Sequence, residues 1–213
     1  MEFAAFAMLD MVSSESRLSL LIECEEDKDM GRLFYVIGPS GAGKDTFIQA
    51  VRHKWPDSVL FAHRYITRSA TAGGENHIEL SEPEFLHRKK LGLFSVDWQA
   101  HQYYYGVGNE IDTWLEQGLD VVINGSREYL GQMQDKFGDR LFPVLMQVDE
   151  ATLAKRLRQR GRETDTQINA RLARARAYSL ALPKQAVIID NSGSIDASLQ
   201  QFLDYYRTLY QSV

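Results

Sequence analysis

The stretch GPSGAGKDTF, Gly38 to Phe47, decides how the rest of the chain is read. Its spacing is that of a phosphate-binding loop, G-x-x-x-x-G-K-[ST], in which backbone N–H groups cradle phosphates, the lysine reaches the β and γ phosphates, and the closing hydroxyl ligates Mg²⁺. Gly38, Gly43 and Lys44 stand at the required positions, and Pro39, Ser40, Gly41 and Ala42 fill the loop between them. Asp45 occupies the place of the hydroxyl, followed by Thr46. Upstream, RLFYVI (Arg32 to Ile37) is a short continuous apolar run of the kind that forms a buried parallel strand. Downstream, Phe47, Ile48, Val51 and Trp55 recur at helical spacing until Pro56 ends the pattern. Strand, glycine loop and helix are the context the motif needs, so residues 38–46 are read as the binding site of a nucleotide's phosphates.

Further apolar runs follow at SVLFAHRYITR, LDVVIN, LFPVLMQV and AVIID. Between them, IDTWLEQ, EYLGQMQDKF, ATLAKRLRQR and SLQQFLDYYRTLY carry apolar residues three or four apart. Strands alternating with helices predict an α/β fold, a parallel sheet covered on both faces, with the phosphate loop as its defining feature. Two segments interrupt the alternation. Residues 64–109, rich in polar, aromatic and glycine residues, are read as an inserted acceptor-binding subdomain. Residues 155–177 carry eight basic residues against Glu163 and Asp165, with a break at Gly161. On two short helices Arg156 and Arg160 share a face, as do Arg171 and Arg174.

The composition is that of a soluble globular protein: 213 residues, 44% hydrophobic, 25% charged, net charge −5. The acidity is local, since residues 1–30 hold eight acidic side chains against Arg17 and Lys28, leaving the body nearly neutral. That segment is read as an acidic N-terminal extension, and Met30 would itself make a natural start. It opens on Glu2 rather than a basic region, and no apolar run approaches the roughly 18 residues that span a bilayer, so neither a signal peptide nor a membrane partner is expected. The single cysteine, Cys24, fits a reducing cytoplasm.

Three readings of the basic segment are open: a hinged arginine lid closing over ATP, a solvated helix face, and a nucleic-acid surface. The lid is preferred, because a nucleic-acid binder spreads its cations over a broad face and phosphoryl transfer needs cations on the transferring group. Transfer also needs Mg²⁺ against the phosphates. Enzymes with this loop place an acid at the end of a second strand, where DVVINGSR here ends in Asn124, Gly125, Ser126 and Arg127. An acid is missing where one is expected and present at Asp45. Either Asp45 takes over metal binding from both positions, or it is an acid stabilised by the dipole at a helix N-terminus. Thr46 does not substitute, because one residue along a helix turns a side chain by about 100°.

In order and spacing, GPSGAGK, ITRS, EFLHR, YYYGVG, RLRQRGRE, INARLARA and VIIDNSG make residues 31–213 resemble the guanylate kinases. The resemblance departs at the acceptor site. The second phosphate-binding arginine of that family falls on Thr71, its phosphate-binding tyrosine on His77, its guanine-reading glutamate on or near Asp97, a serine on Val107, and its strand-end aspartates on Asn124 and Ser126. Arg68 and Tyr105 are kept. With GKD, FAHRYITR, GGENHIELSE and NGSR, these departures are similar to the guanylate-kinase-like phosphokinases that act on ribose 1,5-bisphosphate. The resemblance implies transfer of the ATP γ-phosphoryl group to a sugar phosphate, giving 5-phosphoribosyl 1-diphosphate during phosphonate breakdown. It also implies Lys44 bridging β and γ phosphates, Asp45 on Mg²⁺, Arg160 and Arg171 as lid arginines beside Arg156, and Asn191 near adenine. Arg68, His77, Asp97, Tyr105, Asn124 and Arg127 would hold the acceptor, with Arg64 and Tyr104 as further candidates. A phosphate acceptor is already ionised at neutral pH, so no strong base is required, and His63, His77 and His101 are read as hydrogen-bonding partners. The rival readings are a nucleoside monophosphate kinase and a silent guanylate-kinase-like binding module.

Overall fold

The strand before the loop, β1 (Leu33–Ile37), is buried along its whole length, as a continuous apolar run in a two-sided sheet must be. Phe34 and Val36 face one core with Phe47, Val51, Phe202 and Tyr206, and Leu33, Tyr35 and Ile37 face a second with Ile111, Leu115, Met133 and Phe137. Phe34 meets the rings of Phe142, Phe202 and Tyr206 at centroid distances of 5.4–5.7 Å. Burying each such side chain stabilises the fold by about 1.5–3 kcal/mol.

This computed structural model describes residues 30–70, 75–100, 102–161, 164–176 and 185–210, so the acidic extension before Met30 lies outside the described residues. Within them, β1 pairs in parallel with β7 (Val121–Asn124) and β8 (Leu141–Gln147). β2 (Leu60–Phe61) and β9 (Val187–Asp190) complete a parallel sheet in the order β2-β7-β1-β8-β9. α1 (Lys44–Lys54) and α7 (Ile195–Thr208) carry the first core, and α3 (Glu110–Glu116) and α4 (Leu130–Phe137) the second.

The apolar run SVLFAHRYITR holds two strands. Leu60 and Phe61 pair with β7, whereas β3 (Arg64–Ile66) leaves for a second sheet with β4 (Ile78–Glu79), β5 (Phe94–Ala100) and β6 (Tyr103–Gly108), in the order β4-β3-β6-β5. α2 (Glu82–Lys90) packs on this sheet through Phe85, and starts at Ser81, whose hydroxyl accepts from Glu84 N at 3.3 Å. α5 (Glu150–Arg160) is capped by Asp149, which accepts from Thr152 N at 2.8 Å, and packs against α6 (Asp165–Arg176) through Leu153, Leu157, Ile168 and Leu172.

At the N-terminal edge of the sheet Asp120, only 4% exposed, accepts from Arg32 N at 2.8 Å, Tyr206 Oη at 2.7 Å and Tyr210 Oη at 3.1 Å. Burial and the Asp120 charge push the Tyr206 phenol far up, so it stays a donor. This buried acid is satisfied by structure alone. No helix of the described residues is long and apolar enough to cross a membrane.

Candidate active site

The loop leaves the C-terminal end of β1, at the centre of the parallel sheet, where α/β folds bind ligands. Gly43 caps α1 in the left-handed region at φ 88°, and a Cβ there would lie 2.5 Å from Asn191 Nδ2, so both conformation and space demand glycine. The first N–H groups of α1 open onto the loop, a ready site for anionic oxygens. Lys44 Nζ folds back to donate to Gly38 O at 2.9 Å and Pro39 O at 3.3 Å. Burial pushes Lys44 down to about 8; Asp45 opposes that, while Arg64 and Arg127 reinforce it. Glu75 acts in the same sense as Asp45, so charges of both signs bear on this lysine.

Around the loop stand residues from the far end of the chain. Asn191, 4% exposed, donates to Ala42 O at 2.7 Å and accepts from Ser198 Oγ at 2.9 Å. Arg156 donates to Asn191 O at 2.8 Å and to Ala42 O at 3.4 Å. Both were expected to touch nucleotide. The Asn191 amide is engaged at both ends by protein, because β9 delivers it behind the loop. Arg171 on α6 donates to Ser40 Oγ at 2.7 Å, bringing the second basic helix onto the loop tip. The Arg160 side chain lies outside the described residues, as do Thr71 and His101.

Beyond the loop, a cleft is lined by Asp45, Gln49, Arg52, His63, Glu75, Asn76 and Asn124. Asn124, the last residue of β7 and 8% exposed, donates from Nδ2 to Asp45 Oδ1 at 2.7 Å. Among the described residues no donor reaches Asn124 Oδ1. Arg64 forms a two-pronged ion pair with Glu75, both side chains near 10% exposed, and lies 5.3 Å over the Tyr105 ring. Tyr105 stacks on Trp98 at 5.5 Å, and burial pushes its phenol up while Arg64 and Arg68 pull it down. Arg68 Nε is buried with no partner among the described residues.

Two expected acceptor residues are engaged by protein. Asp97 pairs with Gly106 in the β5–β6 ladder, one residue out of step with the stacked Trp98–Tyr105 pair. Strand alternation therefore turns it to the opposite face, where Lys89 of α2 binds it. His77, 7% exposed, lies between the carbonyls of Glu75 (3.1 Å from Nδ1) and Arg68 (2.9 Å from Nε2), and so braces the chain on either side of the cleft. Sequence reasoning missed Glu75 and Asn76 altogether; only the polar cluster GGENHIE pointed to them.

Oxygen donors suit Mg²⁺, which is held by one or two carboxylates together with substrate phosphates. Asp45 with the buried, undonated oxygen of Asn124 fits that demand; among the described residues no cluster of three or more His, Cys, Asp or Glu offers a self-sufficient metal cage.

The family model described as guanylate kinase matches residues 30–207. Ribose 1,5-bisphosphate phosphokinase PhnN of Dickeya zeae is 54% identical over 173 residues, which are 81% of this chain and 92% of that protein. The protein of the same name from Yersinia pestis is 50% identical over 172 residues, 81% of this chain and 89% of its own. Among solved structures, the guanylate kinase of Anaplasma phagocytophilum aligns with a TM-score of 0.59 at 14% identity, covering 85% of this chain and 87% of that one, a likeness of fold.

Proposed function

The chain belongs to the guanylate kinase family and, within it, to the ribose 1,5-bisphosphate phosphokinases, and from that premise we propose that it transfers the γ-phosphoryl group of ATP to the 1-phosphate of ribose 1,5-bisphosphate. An oxygen of the 1-phosphate attacks the γ phosphorus, the bond to the β-phosphate oxygen breaks, and the products are ADP and 5-phosphoribosyl 1-diphosphate. The observation that carries this reading is the acceptor side: Arg68 Nε is buried with no partner among the described residues, and Asp97, the counterpart of a guanine-reading acid, faces α2.

Each residue has a role that follows from its place. The N–H groups of Gly41 to Lys44 hold the β-phosphate at the start of α1. Lys44 leaves its carbonyl partners to bridge β and γ oxygens, and Arg171, already at Ser40, adds charge where the γ phosphate would lie. Arg160 shares the lid role. Asp45 would hold Mg²⁺, which would neutralise phosphate charge when bound. Arg68, Arg127 and Tyr105 grip acceptor phosphate, with Arg64 fixed for them by Glu75. Residues 64–109 serve as the acceptor-binding insertion and 155–177 as the lid. An ionised phosphate needs no base, which suits a cleft where His63 is engaged with Asn76 at 3.0 Å. We infer the reducing cytoplasm as the working compartment, the single cysteine being the supporting observation.

The test is a paired turnover assay with MgATP, offering ribose 1,5-bisphosphate or GMP and following ADP with the phosphorylated product. Turnover of the sugar alone is the expected result. Turnover of GMP alone would overturn the acceptor assignment, and silence with both would favour a binding module.

A further inference from the structure

The contact between Asp45 and Asn124 joins the two positions at which a phosphate-loop enzyme holds its metal. Such enzymes put a hydroxyl after the loop lysine and a carboxylate at the end of a neighbouring strand. Here β7 is that neighbour of β1, with Asn124 in register with Val36, so its end meets the first turn of α1. The side chains found there are a carboxylate on the loop and an amide on the strand, 2.7 Å apart. The charge has changed sides while the number of carboxylates has stayed at one. Asn124 is more than nine-tenths buried and its Oδ1 has no donor among the described residues, although a buried amide oxygen left bare is costly unless something else satisfies it.

We propose that Asn124 is the positioning residue of the divalent-cation site: its N–H orients the Asp45 carboxylate, and its bare Oδ1 serves the cation or a water bound to it. This rests on the kinase reading above and removes Asn124 from the acceptor contacts. The arrangement explains why an amide occupies the strand end. A second carboxylate there would face Asp45 at hydrogen-bond distance with no proton between them, and the two would repel each other whenever metal is absent.

The pair is isosteric under exchange, which supplies the test. Asp45→Asn, Asn124→Asp and the double exchange are compared with the wild type by calorimetric titration of ADP at zero and saturating Mg²⁺, and by thermal denaturation with Mg²⁺ alone. Asp45→Asn should lose at least tenfold of the Mg²⁺-dependent gain in ADP affinity. Asn124→Asp should lower the melting temperature without metal, and Mg²⁺ alone should restore it. The double exchange keeps one carboxylate, one amide and their hydrogen bond, and should recover most of the Mg²⁺ dependence lost in Asp45→Asn. Asn124→Ala should reduce that dependence as well.

A double exchange no better than Asp45→Asn would overturn the proposal. So would an Asn124→Ala protein with intact Mg²⁺ dependence and a raised KM for the sugar bisphosphate alone, which would make Asn124 an acceptor contact. ADP binding does not involve the acceptor, so failure of the sugar assay would sink the proposed reaction without touching this result.

Discussion

Nucleotide binding to this loop should take up a proton above pH 8. The reason is the buried lysine: desolvation, only partly offset by Asp45, pushes Lys44 from 10.5 down to about 8. At about 1.4 kcal/mol per pH unit, the gap corresponds to roughly 3 kcal/mol of cost for keeping that charge in the nucleotide-free protein. The cost is carried in full below pH 8, where Lys44 is charged in both folded and unfolded chains. Between 8 and 10.5 the unfolded chain holds a proton that the folded chain has lost, so this contribution makes stability rise with pH, and above 10.5 the cost is gone. Phosphates beside Lys44 supply an opposing charge that offsets its desolvation, and they raise its pKa again. At pH 9 about nine-tenths of the nucleotide-free molecules would carry neutral Lys44 and must bind a proton to hold ADP, so affinity should fall about fivefold between pH 8 and 9 and about tenfold between pH 7 and 9. The assay is calorimetric titration of MgADP at pH 7 and pH 9, each in two buffers of different ionisation enthalpy. Uptake near zero at pH 7 and near one at pH 9 is expected, and Lys44→Arg, whose charge does not titrate, should abolish the difference. Equal heats in both buffers at pH 9, with unchanged affinity, would refute the argument.

Replacing Asn191 by Ala leaves the Ala42 carbonyl only the 3.4 Å contact from Arg156 and turns the Ser198 hydroxyl to the Asp190 carbonyl at 3.0 Å, costing about 0.5–1.5 kcal/mol, read as a lower melting temperature together with a raised KM for ATP. An unchanged melting temperature with a raised KM for ATP alone would instead make Asn191 a nucleotide contact. Asp97→Ala should leave the KM for the sugar bisphosphate within about twofold and cost at most about 1 kcal/mol, since its partner Lys89 is half exposed. A tenfold rise in that KM would return Asp97 to the acceptor site. Gly125→Ala would press a Cβ to 2.5 Å from the Tyr35 ring, whose hydroxyl exchanges two 2.8 Å hydrogen bonds with the Ser126 backbone. Such overpacking costs about 1–3 kcal/mol in denaturant unfolding, and wild-type stability would show that Tyr35 can yield.

The readings that held were those carried by neighbours in the chain. The glycine loop, the apolar run before it and the helical spacing of Phe47, Val51 and Trp55 all lie within about twenty residues, where turn chemistry and periodicity act directly. The helix expected at ATLAKRLRQR is α5, and those expected around EYLGQMQDKF and SLQQFLDYYRTLY are α4 and α7. The apolar run SVLFAHRYITR divides between two sheets, and its composition alone does not say which partner each half takes. Both halves are apolar enough to be strand, and only their different partners, β7 for Leu60 and β6 for Arg64, separate them.

The sequence by itself determined the glycine loop between a buried strand and a helix, and that an acid stands at Asp45 where a hydroxyl is usual, because a loop motif encodes its own backbone geometry. Tertiary structure alone decided which side chains meet there. A one-residue step in register put Trp98 and Tyr105 on the face with Arg64 and sent Asp97 to α2. Strand order carried Asn191 behind the loop and Asn124 onto Asp45, 79 residues earlier in the chain. Composition and spacing are short-ranged, whereas the face a strand residue occupies and the neighbour it meets depend on pairings between distant segments, and those are settled only when the sheet is assembled.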